Sequence, residues 1–137
     1  MMNNTFLLNI ITPDKSLIYK DVVCIILNTT SGQISLLANH IDKISNIDIT
    51  PLTIRFTDHE EYLALSSGVM EVDNKTNTIN LIVDTVERKE DIDLARAKKK
   101  KIEAEEILSK PHSNKDAIKA EKWLKKSLTR IKVKEEL

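Results

Sequence analysis

Three histidines and one cysteine are the side chains of this chain best suited to bind a metal or to act as a nucleophile. His40, His59 and His112 lie far apart in the sequence, and none has a second His or a Cys at the spacing of a metal-binding pair. Cys24 lies inside the apolar run 22–27, which favours a buried core position over a nucleophilic role. We therefore predict no metal site and a buried thiol.

Glycine content argues against a phosphate-binding loop of the Walker or Rossmann type. Such loops need several closely spaced glycines, and this chain has only Gly32 and Gly68. The acidic residues show no pattern that marks a general acid with a raised pKa. A small independent enzyme would need a pocket that the sequence does not show, so we expect a chain without catalytic activity of its own.

The lysine run 98–101 is the strongest candidate for binding a polyanion such as nucleic acid. Successive residues on a helix point in different directions, so only part of the run can face one groove. A solvated helix surface is therefore favoured. A free nucleic-acid-binding module that uses the basic tail stays as the alternative function.

Charge is distributed unevenly along the 137 residues, although the net charge is zero. Residues 1–88 carry 6 basic and 11 acidic side chains, whereas residues 89–137 carry 15 and 10. This division indicates two parts with different surroundings. The start of the chain lacks the features of a signal peptide, and no apolar stretch approaches the ~20 residues of a membrane span. Membrane association is expected only through partners.

Short apolar segments separated by turn residues dominate the first part of the chain. Residues 5–11 form an apolar run that ends at the turn 12–15, and the continuous β-branched run 22–29 is typical of a buried strand. Apolar residues then alternate with polar ones, as in half-buried strands, at Ile54, Phe56, Leu63, Leu65, Ile79, Leu81 and Val83. No segment between them is long enough for a crossover helix. The pattern predicts a mostly antiparallel sandwich with an aliphatic core.

Helix-forming residues replace the β-branched runs after residue 88. Asp91 is the expected cap of a first helix, Pro111 breaks that helix, and Ser113 caps a second. The first helix has a narrow apolar stripe at Leu94, Ala97, Ala104 and Leu108. The second has a stripe at Ala117, Ala120, Leu124, Leu128 and Ile131. With a short connector, the two helices should pack as an antiparallel hairpin.

These patterns predict an α+β protein, with a sandwich domain at residues 1–88 and a helical hairpin at residues 89–137. Because small stripes bury little apolar area, the hairpin is weakly held. Two interpretations are open: a hairpin that acts as a switch, and one that stays permanently docked.

Five short motifs, in this order, resemble the epsilon subunit of the F-type ATP synthase over nearly the whole chain. They are Gly32-Gln33-Ile34-Ser35-Leu36-Leu37-Ala38-Asn39-His40, Ser67-Gly68-Val69-Met70-Glu71-Val72, Asp84-Thr85-Val86-Glu87 followed by Asp91-Ile92-Asp93-Leu94-Ala95-Arg96-Ala97, Ala104-Glu105-Glu106, and Leu128-x-Arg130-Ile131-x-Val133. Three departures from the family pattern occur in the first motif region. They are Ser35 for a glycine, Ala38 for a proline, and Asp42 where the family often has a proline.

The resemblance implies a non-catalytic subunit of the rotary central stalk, with a ten-stranded sandwich that binds the gamma subunit and the polar loops of the c-ring. It implies a place at the cytoplasmic face of the bacterial membrane and a part in coupling proton flow to ATP synthesis. The hairpin would reach the alpha/beta catalytic head when extended and restrain ATP hydrolysis there. The loop around Gln33 and His40 would approach the c-ring. An ordinary loop-stabilising hydrogen bond is an equal alternative for His40.

The resemblance requires no cofactor, but it implies ATP as a regulatory ligand of the folded hairpin. Glu87, Asp93, Arg96 and Arg130 match the family's ATP-contact positions, and Lys126 stands where arginine is usual. Lysine keeps the charge but lacks the planar fork that binds phosphate in two places. At a further position, Glu103 replaces an arginine and would repel phosphate. Asp93 and Arg96 have an alternative role as helix-cap and intrahelical partners.

Overall fold

The computed structural model describes residues 4–137, which form ten strands followed by two helices. The strands are β1 (Phe6–Ile11), β2 (Ser16–Val22), β3 (Cys24–Thr29), β4 (Gly32–Leu37), β5 (Lys43–Ile47), β6 (Thr50–Arg55), β7 (Glu60–Leu65), β8 (Gly68–Asp73), β9 (Thr78–Val83) and β10 (Val86–Arg88). A 3-10 turn (Lys89–Asp91), α1 (Leu94–Ser109) and α2 (Asn114–Glu136) follow. The first three residues, on which the signal-peptide expectation partly depends, lie outside the described part of the chain.

The strands hydrogen-bond in the order β10-β7-β6-β3-β5-β8-β9-β1-β2, with β4 paired to β3 beside this path. Neighbouring strands are antiparallel apart from β1 and β9, which run parallel. The sheet encloses one core and forms the predicted sandwich. The predicted fold class, a sandwich of about ten strands followed by a helical hairpin, is confirmed.

The core of the sandwich is aliphatic, as the scarcity of aromatic residues predicts. Its buried side chains are Ile, Leu and Val apart from Phe6 and Met70. The Cys24 thiol is also buried, and burial raises its pKa. Because the thiolate is the reactive form, this thiol is a poor nucleophile at neutral pH.

One predicted strand is divided in two. The run 22–29 was expected to be continuous, but β2 ends at Val22 and β3 begins at Cys24. Asp21 just before the break has a φ of 57°, in the left-handed region that aspartate tolerates better than most residues. The break is a change in backbone direction, which an apolar pattern does not record.

Gly68 allows β8 and β9 to approach closely. A Cβ atom at this position would lie 2.0 Å from the carbonyl oxygen of Ile82. The space is therefore filled by the backbone of the paired strand, and the position requires glycine.

Side-chain caps begin both helices. Asp93 accepts a hydrogen bond from the backbone N–H of Arg96 at 3.0 Å, so Asp93 and not the predicted Asp91 is the cap of α1. Asp91 instead ends the 3-10 turn. Ser113 accepts a hydrogen bond from the N–H of Asp116 at 3.1 Å, as predicted for α2.

Small residues form the contact between the two helices, and Ala97, Ala104 and Ala120 are buried there. The predicted stripe of α2 is wrong at Leu128, which is 46% exposed. The buried positions near the end of α2 are Ser127, Thr129 and Val133 instead. The stripe is shifted because α2 lies against β6 and β7 as well as against α1.

A small apolar cluster attaches the hairpin to the sandwich. Val133 of α2 packs with Ala64 of β7 and with Ile92, and Tyr62 and Leu137 border this cluster. We call these five residues the docking cluster. It is much smaller than the sandwich core, so the apolar contribution to docking is modest.

Polar contacts add to the docking of α2. Lys125 pairs with Asp48 at 2.5 Å, and the Lys134 ammonium donates to the backbone carbonyl of Lys89 at 2.9 Å. An exposed ion pair such as Lys125–Asp48 contributes ~0–1 kcal/mol. Among the helices of residues 4–137, none is long and apolar enough to span a bilayer.

Candidate functional site

A cleft of about 390 Å³ lies where the sandwich meets both helices. We call it the junction cleft. Its walls come from the β1–β2 turn, from β10 with the residues before it, from the start of α1 and from the middle of α2. The lining residues are Thr12, Asp14, Lys15, Asp84, Thr85, Val86, Glu87, Asp91, Asp93, Arg96, Ala97, Lys100, Trp123 and Arg130.

Four of the five residues that the resemblance assigns to ATP lie together on this cleft. They are Glu87, Asp93, Arg96 and Arg130. Residues separated by more than forty positions are thereby brought to one place by the docking of α2. The fifth, Lys126, lines a narrow crevice beside the cleft, together with Glu87 and Arg130.

Glu87 and Arg130 form an ion pair across the boundary between sandwich and hairpin. The Arg130 Nε donates to a carboxylate oxygen of Glu87, and both side chains are about one quarter to one third exposed. The pair joins β10 to α2. An anion that binds Arg130 therefore has to compete with the Glu87 carboxylate.

Arg96 is a cation of the cleft that is available to a ligand. Its backbone N–H is capped by Asp93, but its exposed guanidinium makes no ion pair within residues 4–137. Asp93 thus has the capping role that the residue pattern allowed. The side chains of Asp93 and Arg96 do not pair with each other in the described structure.

Lys126 lies among other cations. Burial, followed by the positive charges of Lys122 and Arg130, lowers the pKa of Lys126. The charge of Asp84 acts in the opposite direction. A binding anion would relieve this repulsion, because it places negative charge near three ammonium and guanidinium groups.

Lys15, Lys100 and Trp123 are among the lining residues that sequence reasoning did not assign to the site. Lys100 is one helical turn after Arg96, and Trp123 is two turns before Arg130, so helical spacing from the matched residues was a usable signal. Lys15 had no such signal, because the β1–β2 turn reaches the cleft only through the fold of the sheet.

The cleft combines four basic side chains with five acidic ones. Basic groups bind phosphate or carboxylate, and carboxylates accept hydrogen bonds from hydroxyl and amino groups. The arrangement suits a polar ligand with an anionic end. Among the described residues, no group of three His, Cys, Asp or Glu side chains is placed to hold a metal ion.

Glu103 does not face the junction cleft. It lines a second cavity of about 490 Å³ between α1 and α2, which we call the hairpin cavity. The expected repulsion of phosphate by Glu103 therefore applies to the neighbouring cavity and not to the cleft that contains Arg96 and Arg130.

Gln33 and His40 do not share a loop. Gln33 is exposed in β4 next to the β3–β4 turn, whereas His40 follows the other end of β4. A strand of this length separates them by roughly 20 Å. His40 hydrogen-bonds through Nδ1 to the Ile41 carbonyl at 2.8 Å, and the Asn74 amide donates to the His40 carbonyl at 2.9 Å.

The lysine run 98–101 is divided around α1. Lys98 pairs with Glu135 at 2.9 Å, and Lys100 lies over the Trp123 ring. Lys99 is exposed, and Lys101 is half-buried. This arrangement leaves no continuous basic stripe along the run.

Comparisons with known proteins agree over both parts of the chain. The family described as "ATP synthase, Delta/Epsilon chain, beta-sandwich domain" matches residues 5–89, and "ATP synthase, Delta/Epsilon chain, long alpha-helix domain" matches residues 90–135. An ATP synthase epsilon chain of Staphylococcus aureus (strain JH9) is 34% identical over 133 residues. The alignment covers 96% of this chain and 98% of that one.

Solved structures share the fold. One chain is from a cryo-EM structure of Euglena gracilis mitochondrial ATP synthase (OSCP/F1/c-ring). It aligns with a TM-score of 0.80 at 19% identity, covering 91% of this chain and 78% of that chain. A second is from the central stalk and c-ring of Tetrahymena thermophila mitochondrial ATP synthase. It aligns with a TM-score of 0.69 at 13% identity, covering 98% of this chain and 99% of that chain.

The fold and the cleft define a class of protein in which a β-sandwich carries a docked helical hairpin, with a polar cleft at their junction. Family matches over both parts and a relative at 34% identity define the family. The chain belongs to the ATP synthase epsilon-chain family, whose members are non-catalytic subunits of that complex.

Proposed function

We propose that this chain is the epsilon subunit of the rotary central stalk in a bacterial F-type ATP synthase. It links the gamma subunit to the c-ring at the cytoplasmic face of the membrane and takes part in coupling proton flow to ATP synthesis. The single observation that carries the proposal is the pairing of a complete sandwich with a lightly docked hairpin in a chain of this family. The Euglena and Tetrahymena structures, which include the c-ring, support the choice of partner.

The end of the sandwich that follows β4 is the part we assign to the c-ring. His40 lies there with Leu37 and Ile41, whose large apolar side chains are exposed. Asn74 fixes the local backbone by donating to the carbonyls of Asn39 and His40. Exposed apolar residues on a fixed loop are typical of a protein contact. Gln33, at the opposite end of β4, faces a different part of the assembly.

The hairpin restrains ATP hydrolysis when it leaves the sandwich and reaches the alpha/beta head. Its docked position depends on the docking cluster and a few ion pairs, so undocking exposes little apolar surface. Segments with few buried contacts open at low free-energy cost. The structure describes the docked form.

ATP in the junction cleft favours the docked hairpin. The cleft has walls from β10, α1 and α2, so a ligand contacts all of them only while α2 is docked. A ligand shifts an equilibrium through its differential affinity for the two states. At a free concentration of 100 times its Kd, a ligand specific for one state stabilises it by about 2.7 kcal/mol.

Two experiments test the proposal. Affinity purification of the chain from its native membrane should recover a gamma subunit, and failure to do so would contradict the central-stalk assignment. Removal of residues 89–137 should leave the complex assembled while its ATP hydrolysis rises. Unchanged hydrolysis would mean that the hairpin is not inhibitory.

Nucleotide binding is tested separately by equilibrium dialysis of the intact chain with ATP. Saturable binding that is weakened by Arg130→Met supports the cleft as the site. Lys132→Met is the matched control, because Lys132 is exposed on the same helix and lines neither cavity. Absence of binding would refute the nucleotide part of the proposal without affecting the central-stalk assignment.

A further inference from the structure

Lys100 and Trp123 form the wall between the junction cleft and the hairpin cavity. Both residues line both spaces. Lys100 belongs to α1 and Trp123 to α2, so residues of both helices form this wall.

Trp123 is the one tryptophan of the chain, and two ammonium groups contact its ring. The Lys100 Nζ lies 4.8 Å from the ring centroid and the Lys126 Nζ lies 5.2 Å from it. A cation over an indole face is attracted by the negative potential of that face. The same face also stacks against flat heterocycles such as nucleobases.

The two lysines differ in their access to the cleft. Both are half-buried, but Lys126 lines the crevice beside the cleft, whereas Lys100 lines the cleft itself. Apart from the indole, the Lys100 ammonium has one ion-pair partner among the described residues, the Glu103 carboxylate at 3.9 Å. Lys100 is thus the ammonium that a ligand can displace from the indole.

Arg130 also lines the cleft, two turns or about 10 Å of helix rise from Trp123 along α2. A ligand with an aromatic ring at one end and several negative charges at the other fits this separation. A nucleoside triphosphate has this chemistry.

We propose that Trp123 is the base-contacting residue of the junction cleft, and that Lys100 exchanges the indole face for the phosphates when the base stacks there. This inference rests on the proposed nucleotide function of the same cleft. It adds a specificity-determining aromatic residue and a mobile cation to the residues that the resemblance supplies. Trp123 selects for a flat base, and Lys100 gains an anionic partner closer than Glu103, which lies 3.9 Å away.

The test compares ATP with inorganic tripolyphosphate, which has the charges but no base. Each probe is titrated against the intact chain while the Trp123 fluorescence is recorded, and binding is measured in parallel by equilibrium dialysis. The variants are Trp123→Leu, Trp123→Phe, Lys100→Met and the control Lys99→Met. Lys99 is exposed on α1 and lines neither cavity.

ATP is expected to change the fluorescence of the unmodified chain. Trp123→Leu should raise the Kd for ATP by about 10-fold, within the range for loss of one base–aromatic stack, and leave that for tripolyphosphate unchanged. Trp123→Phe retains an aromatic face, so its effect should be smaller. Lys100→Met should weaken both probes, and Lys99→Met should weaken neither.

Three outcomes would overturn the inference. Binding of ATP by dialysis that Trp123→Leu does not weaken would remove the base contact while leaving the proposed nucleotide site in place. A second outcome is that Trp123→Phe weakens the binding of ATP and of tripolyphosphate equally, while circular dichroism shows the same helix content. That outcome would assign Trp123 a purely structural role. Absence of ATP binding to the unmodified chain would refute the nucleotide function and this inference with it.

Discussion

The docking of the hairpin should depend on Val133 more than on any exposed residue of α2. Val133 is fully buried in the docking cluster against Ala64 and Ile92. Val133→Ala removes two methyl groups, each equivalent to ~0.8 kcal/mol of transfer free energy, and the remaining cavity adds to the loss. We expect docking to weaken by about 2 kcal/mol, which is roughly a 30-fold shift toward the undocked hairpin.

Amide hydrogen exchange measures this shift directly. In the Val133→Ala variant, protection of α2 amides should fall by roughly the same 30-fold, because exchange follows the population of the open form. Strands far from the hairpin, such as β8, should keep their protection since the sandwich core is untouched. Leu128→Ala is the matched control, because Leu128 is exposed on the same helix.

Two results would refute the reasoning. If Leu128→Ala reduces protection as much as Val133→Ala, docking does not depend on the buried cluster. If Val133→Ala lowers protection in β8 and α2 equally, the hairpin and the sandwich unfold together. In that case the hairpin does not undock as a separate step.

Three further predictions concern pH and packing. Lys125 donates a hydrogen bond to Asp48 and lowers its pKa, so the contribution of this pair to docking is present above the ordinary aspartate pKa of about 3.9 and is lost as the pH falls below it. For this exposed pair the effect is at most ~1 kcal/mol, and Asp48→Asn should remove this contribution to the protection of α2 amides, measured after correction for the intrinsic exchange rate. Gly68→Ala should lower the free energy of unfolding of the sandwich, measured in urea, by at least ~3 kcal/mol, because the new Cβ meets the Ile82 carbonyl. Ser127→Ala should be neutral or stabilise the docked hairpin by up to ~1 kcal/mol in a urea titration, since the buried Ser127 hydroxyl has no hydrogen-bond partner within residues 4–137.

Each of these predictions has a contradicting result. Docking that is unchanged between pH 6 and pH 3 in the unmodified chain would mean that the Asp48 pair contributes nothing measurable. A Gly68→Ala protein as stable as the unmodified one would show that β8 and β9 separate at little cost. A clear loss of stability in Ser127→Ala would indicate that the hydroxyl has a partner in solution.

Much of the fold was predictable because it follows from short-range periodicity. Alternation of apolar residues at Ile79, Leu81 and Val83 identifies a strand whatever its neighbours are. Ser113 was identifiable as a cap because its partner, the N–H of Asp116, is three residues away. The division between Val22 and Cys24 was not predictable, since it depends on the backbone conformation at Asp21.

The candidate site was predictable only in part. Resemblance to the family supplied Glu87, Asp93, Arg96 and Arg130, and helical spacing from these residues would have added Lys100 and Trp123. These four matched residues form one cleft in the structure, but nothing in the sequence positions Lys15 beside them. The sequence also could not show that Gln33 and His40 lie at opposite ends of one strand.

The sequence by itself determined the types of elements, their order, the aliphatic core and the family, because each follows from local composition, spacing or motif. Only the tertiary structure decided which face of α2 is buried and which charges meet across the junction. The physical reason is that α2 contacts both α1 and the sheet, so its buried positions depend on two surfaces formed by distant residues. Leu128 is exposed and Val133 is buried for this reason, and the same docking brings Glu87 to Arg130.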